Sequence, residues 1–168
     1  MKKKITIHLF SVLLIVFVAS LGTGYAHFGS ELNFKARLTG GEVVPPAKTM
    51  AGGEAVFKLG KDGKELAYTI TVKGIEHVVA AHIHAGKKGK SGPPVVSLFT
   101  GPAKEGAMSG TLVDGLILEK DLAGSLAGKP LSALIDLIKS GDAYVNVHTD
   151  KYPDGEIRGQ ITYVPTGE

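Results

Sequence analysis

The chain has 168 residues, a formal net charge of +3 at pH 7, no cysteine and no tryptophan. The lack of cysteine excludes disulfides and thiolate metal sites, so an ordinary hydrophobic core must stabilise the fold. The small net charge argues against nucleic acid as a partner.

The first 26 residues have the order of a secretory signal. Residues 2–4 are lysines, residues 9–21 are mostly apolar but too short for a membrane span, and residues 24–26 offer small residues before a cleavage point. Cleavage there makes His27 the first residue and leaves 16 basic against 16 acidic residues in a single domain, 27–168. We expect an exported protein (secreted, periplasmic or in the cell envelope) without a membrane span; an uncleaved anchor is the alternative.

Short runs of alternating apolar and polar residues then predict strands. In chain order these are residues 30–39, 53–59, 65–72, 78–84, 95–99, 108–113, 142–149 and 156–164. Turn residues separate them, including an Asp-Gly hairpin turn at 61–64 and Pro-Asp-Gly at 153–155. Residues 114–129 show no clear pattern beyond a short helical turn at 119–122.

One helix is predicted at residues 130–140, with Pro130 at its first position and Gly141 at its end. Its apolar face has the spacing i, i+3, i+4, i+7, in Leu131, Leu134, Ile135 and Ile138. Many short strands with one helix before the last hairpin predict an all-β fold, specifically an antiparallel, Greek-key-like β-sandwich.

Two histidines one residue apart are the most chemically specific feature of the sequence. His82 and His84 share one strand face, with Cβ atoms about 7 Å apart, so their imidazoles could converge on one metal ion. His148 shares a strand face with Tyr144 and Asn146. If the two faces meet, three imidazoles form a site suited to copper or zinc, whereas magnesium and calcium prefer carboxylates.

Four polar residues are expected to support these ligands: Asn146, Tyr144, Glu156 and Arg158. Glu156 and Arg158 lie on one face of the last strand, where they could pair with each other or contact Asn146 and His148. We predict copper as the cofactor, since nitrogen donors favour it over zinc. The alternative is that the histidines belong to a hydrogen-bonded polar core without metal.

The other candidate groups give weaker signals. His77 is expected to be solvated at a loop edge, and after cleavage His27 could offer copper an amine and an imidazole from a flexible tail. The glycines of residues 86–92 have no following helix, so a phosphate loop is not expected. The lysines in this loop are expected to be solvated.

Four segments together resemble the CHRD domain, named for its occurrence in chordin: residues 81–86, 92–96, 141–149 and 153–161. The resemblance covers about residues 32–163. It implies a β-sandwich module like those of bacterial exported proteins and of chordin, and it implies no defined biochemical activity.

A second resemblance is to copper/zinc superoxide dismutases, which have a His-x-His strand, then a Gly-Pro-His stretch and later a Val-Val-His strand, on an immunoglobulin-like sandwich. His82 and His84 match the first motif and His148 can match the last. Pro94 stands where the bridging histidine is expected, and the disulfide is impossible without cysteine. The resemblance therefore implies one copper rather than a dinuclear centre.

Three functions follow from these observations. The first is a non-enzymatic exported module that binds copper through His82, His84 and His148. The second is a structural or protein-interaction module of the cell envelope, with an unknown protein partner and no metal. The third is an oxidoreductase similar to superoxide dismutase.

Overall fold

The computed structural model of the protein describes residues 32–165. The strands are β1 (Asn33–Thr39), β2 (Gly52–Leu59), β3 (Glu65–Ala85), β4 (Pro94–Leu118), β5 (Ala143–Thr149), β6 (Ile157–Gln160) and β7 (Thr162–Val164), and the helix is α1 (Leu131–Lys139). Three short 3-10 helices lie between them, at Gly40–Glu42, Glu119–Asp121 and Gly124–Leu126. The expected leader and His27 lie outside the described residues.

The strands pair antiparallel and the sheet closes on itself. Five strands form a ring in the order β1, β2, β3, β5 and β6, and β6 returns to β1 at the pair Thr39 and Arg158. β4 extends the sheet from β3, and β7 pairs with β1. The all-β, antiparallel prediction is confirmed, as is the single helix before the last hairpin. The Greek-key sandwich is not confirmed, because the strands form a closed barrel.

The observed fold differs from the predicted sandwich because of β3. The sequence pattern predicts two strands there, residues 65–72 and 78–84, whereas the structure has one continuous strand. Gly74 and His77 take positive φ angles of 63° and 50°, and the register against β4 shifts on both sides of them. Such bulges bend a strand without ending it. The first part of β3 therefore pairs with β2 and the second with β5, which joins all strands into one sheet.

The barrel interior is apolar, and the histidines lie on the other face of its wall. On β3 and β5, Ala81, Ile83, Val145 and Val147 are fully buried and belong to the core. Because neighbouring side chains in a strand point to opposite faces, the histidines of β3 face outward.

Helix α1 packs with the predicted face on the same core. Pro130 precedes its first residue, and Gly141, with a φ of 77°, follows its end. The buried residues of the helix are Leu131, Leu134, Ile135 and Ile138. Within residues 32–165, no helix is long and apolar enough to cross a membrane.

Candidate metal centre

The pairing of β3 with β5 brings the three histidines together. His82 lies opposite Asn146, His84 opposite Tyr144, and His148 opposite Ala80. This register puts His148 diagonal to His82 on the outer face of the wall. The two strand faces that were expected to carry the histidines therefore meet.

The three imidazole rings form one compact group. Ring centroids are separated by 5.7 Å between His82 and His84, 5.2 Å between His82 and His148, and 5.8 Å between His84 and His148. One ring nitrogen of each residue lies within 4.8 Å of the others. This is the one group of three or more metal-ligating side chains found among residues 32–165, so the described chain offers no second metal site of that size.

Backbone carbonyls fix the orientation of two of the rings. Nδ1 of His84 donates to the carbonyl of Gly92 at 2.8 Å, and Nδ1 of His148 donates to that of Pro153 at 2.8 Å. Since a carbonyl only accepts, both Nδ1 atoms carry hydrogen and both Nε2 atoms have a free lone pair. Protein metal sites commonly hold histidine ligands in this way.

Three ring nitrogens in this group are buried and have no hydrogen-bond partner: Nδ1 of His82, Nε2 of His84 and Nε2 of His148. Buried polar atoms are normally satisfied, so three unsatisfied ring nitrogens in one cluster need an explanation. A metal ion would satisfy all three, and the residues present therefore fit such a group.

The environment keeps the rings of β3 uncharged at neutral pH. Burial, then the proximity of His148 and His84, lowers the pKa of His82 to about 4. Burial also lowers the pKa of His84, helped by His148 and Arg158 and opposed by the bond to Gly92. Neutral imidazole is the form that binds metals.

Tyr144 joins the histidine group to Arg158. Its ring stacks on His84, with centroids 5.0 Å apart and planes 12° apart, and the guanidinium carbon of Arg158 lies 3.4 Å from its centroid. The Tyr144 hydroxyl accepts from the backbone N–H of Gly92 at 3.0 Å. Tyr144 thus holds both the ring of His84 and the loop that orients it.

Asn146 is held beside the histidines by the turn after β5. Its Nδ2 donates to the carbonyl of Asp154 at 2.9 Å, and its Oδ1 is buried without a partner. Gly155, with a φ of 120°, leaves room for this amide, since a Cβ there would lie 2.2 Å from Oδ1. The Pro-Asp-Gly segment is therefore part of the site as well as a turn.

Other candidates lie outside the histidine group. The carboxylate of Glu156 accepts hydrogen bonds from Thr49 at 2.6 Å and Thr149 at 2.8 Å, which links the loop after β1 to the end of β5. His77 is partly exposed at the surface, where its Nδ1 lies 3.3 Å from a carboxylate oxygen of Glu105.

Sequence reasoning missed the role of the loop between β3 and β4. Its carbonyls at Lys87 and Lys90 accept from Arg158, and that of Gly92 accepts from His84. A Cβ on Gly92 would lie 1.7 Å from the carbonyl oxygen of Ala85, so glycine is required by close backbone packing. The high glycine content of residues 86–92 was the sequence feature that could have indicated this close packing.

A family model described as the CHRD domain matches residues 34–161. The chain belongs to the CHRD family. Comparisons with curated proteins and with solved structures give no significant match. CHRD domains are typically extracellular, and the family indicates a structural or interaction module. The three histidines of the candidate metal centre of this CHRD domain all lie within the matched range.

Proposed function

We propose that this CHRD domain is an exported, non-enzymatic module that binds one copper ion through His82, His84 and His148. The observation that carries the proposal is the convergence of three buried ring nitrogens that have no other partner. A polar core would be expected to satisfy these atoms within the protein, and the described residues do not.

The donor set favours copper. All three ligands are imidazole nitrogens, and the histidine group contains no carboxylate or thiolate. For such sites the general order of affinity puts Cu²⁺ above Zn²⁺. With bonds of 2.0–2.1 Å, ligand nitrogens are about 3.3–3.6 Å apart, so small shifts of the rings would complete the site.

Tyr144 and Asn146 support this site by position. Tyr144 packs on one ligand ring, and Asn146 lies directly opposite His82 in the strand pair. We assign Arg158 the same supporting role, because its guanidinium packs on the ring of Tyr144. Glu156 supports the site only through the end of β5, where it holds Thr149.

Electron paramagnetic resonance of the protein with one equivalent of Cu²⁺ tests the proposal. Three imidazole ligands should give hyperfine structure from several nitrogens, and the spectrum should simplify in His148→Ala. A spectrum like that of copper free in the buffer, or one unchanged in His148→Ala, would contradict the site.

A further inference from the structure

Arg158 is a buried cation without a matching anion. Its side chain is 3% exposed, and no carboxylate among residues 32–165 forms an ion pair with it. Burial lowers the pKa of Arg158, and the charge of Glu42 opposes this shift, but Glu42 is itself paired with Lys88 at 3.1 Å. A buried charge without a partner is unfavourable, so this arrangement calls for an acceptor.

The contacts of the guanidinium fix its plane and leave part of it free. Nη2 donates to the carbonyls of Lys87 at 3.2 Å and Lys90 at 2.8 Å, while the group stacks on Tyr144. The N–H groups of Nε and Nη1 remain for another acceptor. A carboxylate oxygen that accepts from either of them forms a charge-assisted hydrogen bond, whereas a two-oxygen fork would need Nη2, whose hydrogens go to the two carbonyls.

A cavity of about 250 Å³ adjoins this guanidinium. Its walls include His84, His148, Asn146 and Ser91 as well as Arg158. The lining of the cavity therefore combines a positive charge with two of the histidines. Asp154 is the one acidic residue in the lining.

We propose that this cavity binds a small carboxylate anion through the guanidinium of Arg158. The exposed hydroxyl of Ser91 is a further donor in the cavity wall. The anion site stands without a metal; only the expectation that copper tightens anion binding rests on the proposed function.

Titration of the full chain with sodium acetate at fixed ionic strength tests this site, with metal removed by a chelator and again with copper loaded. Arg158→Met removes the charge with similar bulk, and Arg158→Lys keeps the charge without the planar guanidinium and its Nε–H donor. Arg37→Met removes an exposed arginine of β1 as the matched control. Metal-free wild type should bind acetate. Arg158→Met should weaken binding about tenfold or more, as expected for a charge-assisted hydrogen bond. Arg158→Lys should fall between them, and Arg37→Met should match the wild type.

The outcomes separate this proposal from the metal site. Absence of acetate binding to wild type in both states would overturn it, even if copper binds. Equal binding by wild type and Arg158→Met would also overturn it. Acetate binding that depends on Arg158 but not on copper supports the anion site. It contradicts only the expectation that copper tightens anion binding. Should Arg158→Met fail to fold, the Nε–H resonance of Arg158 in the wild type decides, since it must shift on addition of acetate.

Discussion

The carbonyl oxygen of Gly92 lies 2.8 Å from Nδ1 of His84. This contact decides that Nδ1 carries the hydrogen and that Nε2 faces the other imidazoles. The loop between β3 and β4 thereby fixes the orientation of the His84 ring without a metal. Its glycine content serves this close packing, since Gly92 has no room for a side chain beside Ala85.

Gly92→Ala should damage both the loop and the site. The added Cβ would overlap the carbonyl of Ala85, so the loop must move and His84 loses its acceptor. We expect a loss of about 1–3 kcal/mol in the free energy of unfolding, measured by chemical denaturation. Ser91→Ala, at the exposed neighbour, should change it by less than about 0.5 kcal/mol. Equal stabilities would show that the loop tolerates the side chain.

The stability of the metal-free protein should fall as the pH drops from about 6.5 toward 4. The pKa of His82 is about 4 in the folded state and near 6.5 in the unfolded state, so between these values the unfolded chain binds more protons. The lowered pKa of His84 acts in the same direction. We expect His82 to account for about 1–2 kcal/mol, less than its full shift implies because the ring is partly exposed and solvent screens its charge.

His82→Gln isolates this effect from the titration of carboxylates. Denaturation of both proteins in a chelator at several pH values between 4 and 7 should show a shallower pH dependence in the variant. Parallel curves for the two proteins would mean that His82 does not titrate as described.

Much of the site follows from strand alternation alone. Period two correctly places His82 beside His84, and His148 beside Tyr144 and Asn146, on single faces. That the two faces meet depends on the long-range pairing of β3 with β5, which local pattern does not specify. The acceptors at Gly92 and Pro153 are backbone carbonyls and carry no side-chain signal.

The closed barrel could not be predicted from the local sequence pattern for a related reason. Residues 73–77 contain a glycine and a polar run, which normally end a strand. Here Gly74 and His77 form bulges within β3, and only the pairing with β4 reveals that the strand continues. Helix α1, by contrast, was predictable because its apolar spacing is local and complete.

Leu134→Ala should test the packing of α1 on the barrel. Leu134 is fully buried, so we expect a loss of about 2–5 kcal/mol in the free energy of unfolding. Leu137→Ala, at a partly buried position on the same helix, should cost clearly less. A loss below about 1 kcal/mol for Leu134→Ala would mean that its burial contributes little.

Export with cleavage is a separate prediction from the sequence. The basic, apolar and small-residue order of residues 1–26 predicts that the mature protein begins at His27. Mass spectrometry of the protein recovered from outside the cytoplasm should give that N-terminus. Recovery of intact Met1 would indicate an uncleaved anchor.

Calorimetric titration with Cu²⁺ and Zn²⁺ tests the copper site most directly. Wild type should bind one Cu²⁺ per chain, more tightly than Zn²⁺. His84→Ala should weaken copper binding by about 100-fold or more, because losing even a supporting partner of a ligand costs 10–100-fold. His77→Ala, a surface histidine away from the group, should bind as the wild type does. No binding by the wild type, or equal binding by wild type and His84→Ala, would contradict the site.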